Sequence, residues 1–233
     1  MIKYLKWDSE LLKKKIGEIK NIPIAEEIIL KHLEKAKKTS YQYLILRLNE
    51  FNCKELLILK NYGFYISDIG VTLKSSLNNL VTHKSNRYPV REATLKDLPS
   101  LKKIISGLFT DSRFYNDPFF NRKEADLIFS KWIENSIRKE VADVVYIIPE
   151  KAFITCKRRG LTGEISLIGV KKGERGKGMG KALFFKAVEW FKDNKVTSIY
   201  VRTQLKNLKA LNFYESLGFK TYSYDILMAN ILT

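Results

Sequence analysis

An apolar strand that runs directly into a glycine-rich turn and then into an amphipathic helix leaves a chain few folds to choose from. Residues 165–181 read ISLIGVKKGERGKGMGK, with Gly176, Gly178 and Gly180 between the apolar run and a helix expected over Met179–Asn194. Glycines let the backbone approach an oxygen-rich ligand, while first-turn N–H groups and the helix dipole face it. Arg175, Lys177 and Lys181 add positive charge, so the segment has the physics of a pyrophosphate cradle. It is not a P-loop, because no Gly-Lys-Ser/Thr closes it, and it lacks a full G-x-G-x-x-G with a following ribose acid.

Around this segment the pattern alternates. Strands are expected at Ile2–Trp7, Tyr43–Leu48, Asp68–Lys74, Tyr88–Ala93, Val144–Ile148, Ala152–Lys157, Glu164–Lys171, Ser198–Thr203 and within Phe219–Leu232. Helices are expected at Ala25–Lys38, Cys53–Asn61, Arg122–Arg138 and Ala210–Leu217, with Asp8 capping a short one and Thr94 another through Asp97. Such alternation predicts an α/β (α+β) fold with some parallel pairing. The polar stretch Ser75–Arg87, containing His83, reads as a linker, dividing the chain into residues 1–84 and 85–233. An internal echo crosses that division. Leu44-Ile45-Leu46-Arg47, Asn52 and Gly63-Phe64 recur as Ile199-Tyr200-Val201-Arg202, Asn207 and Gly218-Phe219, at a constant offset of 155 residues. The copies differ in that Leu59 matches Tyr214 and no glycine turn precedes the first. Chemistry therefore belongs to the second half.

Composition narrows the partners. The 233 residues hold 13 Phe, 12 Tyr and 3 Trp, which need burial and exclude a disordered chain. Lys and Arg total 42 against 25 acids, a net charge of +17 that attracts polyanions. Arginine, the residue that reads bases in pairs of hydrogen bonds, supplies only 10 of the 42, so the basic balance alone names no nucleic acid. Cys53 and Cys156 make no disulfide framework, two histidines supply no metal cluster, and no metal is expected. With neither a bilayer-length apolar run nor a secretory h-region, a cytoplasmic protein without membrane insertion is expected.

Arg-x-x-Gly-x-Gly, here Arg175, Gly178 and Gly180 after a strand, resembles the acetyl-CoA signature of the GNAT N-acetyltransferases. So does Asn-x-x-Ala-x-x-x-Tyr-x-x-x-Gly-Phe, here Asn207, Ala210, Tyr214, Gly218 and Phe219. The resemblance implies a GNAT acetyltransferase fold over residues 85–233 and a smaller, partial GNAT-like lobe before it. Within the superfamily the chain is similar to the enzymes that acetylate TDP-fucosamine, a 4-amino-4,6-dideoxy-galactose on TDP. The supporting pieces are Trp7-Asp8-Ser9, Ser112-Arg113-Phe114, Asp117-Pro118, Trp132-Ile133, Asn135-Ser136, Ala142-Asp143 and Thr203-Gln204.

The resemblance further implies acetyl-CoA as donor and the amine of a nucleotide-linked sugar as acceptor. Backbone groups of Ile168 and Val170 would bind pantetheine where the strand splays at a bulge, and Gly176, Lys177, Gly178, Met179, Gly180 and Lys181 would hold the pyrophosphate with Arg175. Asn207 and Ala210 would complete the cofactor site. Tyr214, two helical turns after Asn207, would protonate the leaving thiolate. Glu164 matches the strand glutamate that serves as base in the histone-acetylating branch. Arg113 suits a diphosphate and Asp117 a sugar hydroxyl or ammonium, making both candidate acceptor contacts. A homodimer is compatible with the sequence. Two alternatives stand beside this reading: acetylation of another small amine, amino acid or peptide, and a basic nucleic-acid-binding module.

Overall fold

The computed structural model describes residues 1–80 and 87–232. In chain order the elements are β1 (Ile2–Tyr4), α1 (Lys6–Leu12), β2 (Ile16–Ile19), α2 (Glu26–Lys38), β3 (Tyr43–Leu48), α3 (Cys53–Asn61) and β4 (Tyr65–Ser76). There follow β5 (Arg91–Glu92), α4 (Leu98–Ile105), α5 (Arg113–Asn116), α6 (Arg122–Ile137), β6 (Val144–Ile148), β7 (Ala152–Arg159) and β8 (Thr162–Val170). The last are α7 (Met179–Asp193), β9 (Ser198–Gln204), α8 (Leu208–Glu215) and β10 (Lys220–Ile231).

The chain forms two compact units. One comprises Met1–Gly70, Asp111–Glu124 and Ser223–Thr233; the other comprises Val71–Thr110 and Ala125–Tyr222. Both are discontinuous in sequence, and in that they differ from a linear division at residues 84/85. Strands β4 and β10 each start in one unit and end in the other.

In the first unit β1 pairs antiparallel with β2, β2 parallel with β3, and β3 antiparallel with β10. Helix α2 seals this sheet with Ile29, Leu33 and Ala36, spaced to share one helix face, and Leu59 and Phe64 complete the core. In the second unit the strand order is β4-β9-β8-β7-β6-β5. Helix α7 covers it with Met179, Ala182, Leu183, Phe184, Ala187, Val188 and Phe191, all buried.

The expected strand at Ile2–Trp7 stops at Tyr4. Leu5, not Asp8, is the N-cap residue of α1, and Asp8 sits in its first turn, where a carboxylate favours the dipole. Strand β2 has no counterpart among the expectations, being only four residues long. The expected linker begins as structure: Ser75 and Ser76 end β4, and Leu77 and Leu80 are buried in the second unit's core. His83 lies outside the described residues. The expected strand Tyr88–Ala93 shrinks to Arg91–Glu92, after Pro89. Thr94 and Asp97 do form the reciprocal capping pair.

The internal echo is structural. The 155-residue offset carries β4 onto β10 end to end, and the N-cap of α3, Asn52, onto that of α8, Asn207. Gly63 and Gly218, at φ +83° and +93°, turn each helix into its following strand in the left-handed region. Phe64 and Phe219 are both 2% exposed.

Candidate active site

Strand β8 sets the geometry. Its pairing with β9 runs from Thr162↔Ser198 to Ile165↔Val201 and stops, although β8 continues to Val170 and β9 to Gln204. On its other edge β8 stays paired with β7 through Ala152↔Val170, with a register shift between Thr155 and Cys156. The extra residue is Ser166, which has no partner on β7. Thr155, fully buried, repairs the gap: its Oγ1 accepts the Leu167 N–H at 3.0 Å.

Hydrogen-bonding groups alternate sides along an antiparallel strand. Lys171 donates its N–H to the Lys151 carbonyl at 2.8 Å, toward β7. Val170 and Ile168 therefore present their N–H and C=O groups to the opposite side, where β9 has parted from β8. Among the described residues this edge is unpaired by strand, and the Val170 carbonyl accepts a hydrogen bond from Arg175 Nε at 3.3 Å.

The bulge also exchanges the faces of β8. Before it, Gly163 lies against Phe191 of α7; after it, Gly169 lies against Leu108 and Phe153. Ile168 and Val170 pack on the same core as α7. Glu164 and Val170 thus stand on opposite faces of the sheet, although six residues along an unbroken strand would put them on one. Glu164 remains in the paired part of β8, where its carboxylate accepts from Arg159 Nε at 3.1 Å and Ser166 Oγ at 3.0 Å. The flip leaves Glu164 on the face away from α7, beside its β9 partner Tyr200.

The glycine turn closes onto α7 as its residues require. Gly176 and Gly178 have φ of +79° and +88°, and a Cβ built on either meets no described atom within 4 Å. Gly178 is the N-cap residue and offers no side chain to the first-turn N–H groups of Met179, Gly180 and Lys181. That turn contains no acid. With Arg175, Lys177 and Lys181 around it, cations crowd the positive end of the helix dipole, an arrangement an anion would relieve. Met179 sends its side chain into the core at 3% exposure and can contribute only its backbone outward. Lys177 pairs with Glu174 at 3.0 Å, and the Tyr88 hydroxyl donates to the Lys177 carbonyl at 2.5 Å, fastening the turn. Tyr88 carries no sequence signal for this role.

Asn207 caps α8, its Oδ1 accepting from the Ala210 N–H at 3.2 Å while its Nδ2 donates to Thr203 Oγ1 at 3.3 Å. Tyr214 is 2% exposed, with its ring against Phe213 and Phe219. Burial raises its pKa far above the ordinary phenol value, so it holds its proton at every working pH. Cys156 is likewise buried, and burial pushes its thiol up, which makes it inert.

The structure places Arg113 and Asp117 in the first unit and every cofactor candidate in the second. Asp117 is 3% exposed and accepts from Tyr43 OH at 2.5 Å, Tyr65 OH at 2.8 Å, Ser67 Oγ and the Phe119 N–H at 2.9 Å. Its acceptor capacity is filled from within, which corrects the expectation of a free carboxylate for a sugar. Arg113 stacks over Phe114 at 4.3 Å, and its buried Nη1 has no hydrogen-bond partner among the described residues; nor has the Ser112 Oγ. Buried polar atoms left without partners are uncommon. Burial raises the pKa of nearby Asp8, and the Arg113 charge opposes that rise.

A strand opened beside a glycine cradle is the arrangement of an acetyltransferase domain, and the comparisons agree. Residues 108–219 match the acetyltransferase (GNAT) family, and the chain carries a GNAT acetyltransferase domain. It is similar to the spore coat polysaccharide biosynthesis protein SpsD of Bacillus subtilis (strain 168), 22% identical over 225 residues, covering 91% of this chain and 76% of that protein. It is also similar to a dTDP-fucosamine acetyltransferase of Escherichia coli O6:H1, 26% identical over 173 residues, covering 72% of each. A tandem GNAT protein from the clavulanic acid biosynthesis pathway shares the fold, with a TM-score of 0.63 at 12% identity over 93% of this chain and 75% of that one. The protein is therefore an acetyl-transferring enzyme of GNAT type.

Proposed function

We propose that this enzyme moves the acetyl group of acetyl-CoA to the amine of a nucleotide-linked 4-amino-4,6-dideoxy sugar. The observation that carries the donor half is the open edge of β8 beside the uncapped N-terminus of α7. The donor's residues fit: glycines with open space above them, first-turn N–H groups that no side chain caps among the described residues, three cations, and a strand edge that no described strand pairs beyond Ile165. Bound acetyl-CoA supplies an activated acyl group as a thioester.

The chain's own residues then have separable tasks. The edge groups of Ile168 and Val170 hold an extended ligand as an added strand would. An N–H there donates to charge growing on the acyl oxygen, a contribution commonly worth about 3–4 kcal/mol. The α7 N-terminus with Arg175, Lys177 and Lys181 binds the anionic end. Asn207 sets the start of α8, and Tyr214 holds the proton for the departing sulfur. A raised pKa makes this phenol a weaker acid than free tyrosine, so positioning contributes more to rate than acid strength does.

The acceptor half rests on the two relatives named in connection with polysaccharide and fucosamine. Thiol release from acetyl-CoA, measured against TDP- and UDP-linked amino sugars and against free amines, tests it. Turnover of small amines or peptides with none of the nucleotide sugars would replace this reading.

A further inference from the structure

Lys74, Tyr200 and Tyr222 stand side by side on the second unit's sheet, away from α7. Lys74 Nζ lies 5.0 Å from the Tyr200 ring centre and 5.1 Å from that of Tyr222, and the two rings meet edge to face at 5.5 Å. The strands carrying them are neighbours in the order β10-β4-β9-β8. Their side chains lie on the face opposite the core: Ile199, Val201, Val71 and Leu73, which alternate with them, are all buried in the core with α7. Tyr222 is 60% exposed, so one ring of the pair is open to a ligand.

Position gives this cluster a meaning. Tyr200 immediately precedes Val201, the last residue of β9 paired with β8, so the cluster begins where the donor edge opens. From β8 to β10 is three strand steps, on the order of 14 Å. That is comparable with a hexose joined through two phosphates to a nucleoside. A surface cation between two phenol rings, with the exposed Lys220 on the adjoining strand, offers phosphate contacts and a stacking face together.

We infer that Lys74, Tyr200 and Tyr222 form the platform for the nucleoside diphosphate portion of the acceptor. This deepens the proposed function and rests on it for the identity of the sugar, but not for the binding of the nucleotide. An amine at the donor edge and a nucleotide on this platform would be the two ends of one substrate. A free amino sugar would use only the first.

The experiment measures TDP binding by isothermal titration, together with KM for the TDP-amino sugar, in the full chain and in Lys74→Gln and Tyr222→Ala. Both side chains sit at the surface, and a thermal melt confirms that each variant folds. Each substitution is expected to weaken TDP and raise the acceptor KM by about tenfold, with the acetyl-CoA KM unchanged. TDP binding that is absent in the parent, or equal in parent and variants, overturns the inference. TDP binding weakened in the variants, with no amino sugar acetylated, supports the platform and removes the sugar reading instead.

Discussion

Tyr214 and Leu59 occupy matching positions in the two copies of the strand–helix–strand repeat, and both are buried, at 2% and 0% exposure. A leucine suffices to fill that place in one core, so packing does not call for the hydroxyl in the other. Tyr214→Phe keeps the ring and removes only that group. It is expected to lower kcat by about 10²-fold with acetyl-CoA affinity little changed. Wild-type kcat in this variant would assign the leaving group's proton to water.

At Asp117 the expectation is about stability. Its carboxylate collects hydrogen bonds from Tyr43, Tyr65, Ser67 and Phe119, and an amide could accept fewer of them while burying new donors. Asp117→Asn should destabilise the fold by about 1–3 kcal/mol in denaturant titration. A midpoint equal to wild type would show that the carboxylate is not the hub its geometry indicates.

Among the elements, β8 and the turn after it carry the proposed donor site. Gly178→Asn retains a residue that tolerates the left-handed backbone, whereas Gly178→Glu adds negative charge at the proposed pyrophosphate cradle. Acetyl-CoA should raise the melting temperature of the Asn variant and not that of the Glu variant. Equal protection of both would move the donor site away from this turn.

The turn was legible in the sequence because glycine spacing and charge are local properties. The flip of β8 was not. It depends on Ser166 having no partner on β7 and on Thr155 reaching Leu167, and both are properties of a neighbouring strand. Counting the six residues from Glu164 to Val170 assumes an unbroken alternation and so misses that the two side chains face opposite ways. The filling of Asp117 is hidden for a related reason: its side-chain donors come from residues 43, 65 and 67, far away in sequence. Helix α6 shows the reverse case, an element legible from its apolar spacing alone. Its Glu134 meets Lys131, Lys102 and Arg138 at 3.1, 3.1 and 3.4 Å. Hydrogen bonds from Lys131 and Lys102 lower its pKa to about 2. The stabilisation is present above the ordinary glutamate pKa, about 4.3, and fades as pH falls toward 2. Glu134→Gln should therefore lower the melting temperature at neutral pH, by a gap that narrows below pH ~4. A gap independent of pH would contradict the ionic account.

At the scale of the whole molecule, the repeat and the exchange of strands belong together. Each copy ends in a twelve-residue strand that begins in one compact unit and finishes in the other. Val71, Leu73, Leu77 and Leu80, though they precede residue 85, are core residues of the unit with the proposed donor site. A fragment starting near residue 86 would lack them and leave an edge of β9 uncovered. It is expected to be insoluble or to melt far below the full chain. A stable, fully active fragment would show that the shared strands are dispensable. With one glycine turn in the chain, the account also predicts one acetyl-CoA bound per chain.

The most direct test follows both products of a single reaction. The full chain is incubated with acetyl-CoA and a TDP-linked 4-amino-4,6-dideoxy sugar, and released thiol is counted against acetylated sugar nucleotide by mass spectrometry. The account predicts one thiol per acetylated sugar and no release when a hydroxyl replaces the amine. Thiol release that ignores the amine, or none from a chain that binds acetyl-CoA, would contradict it.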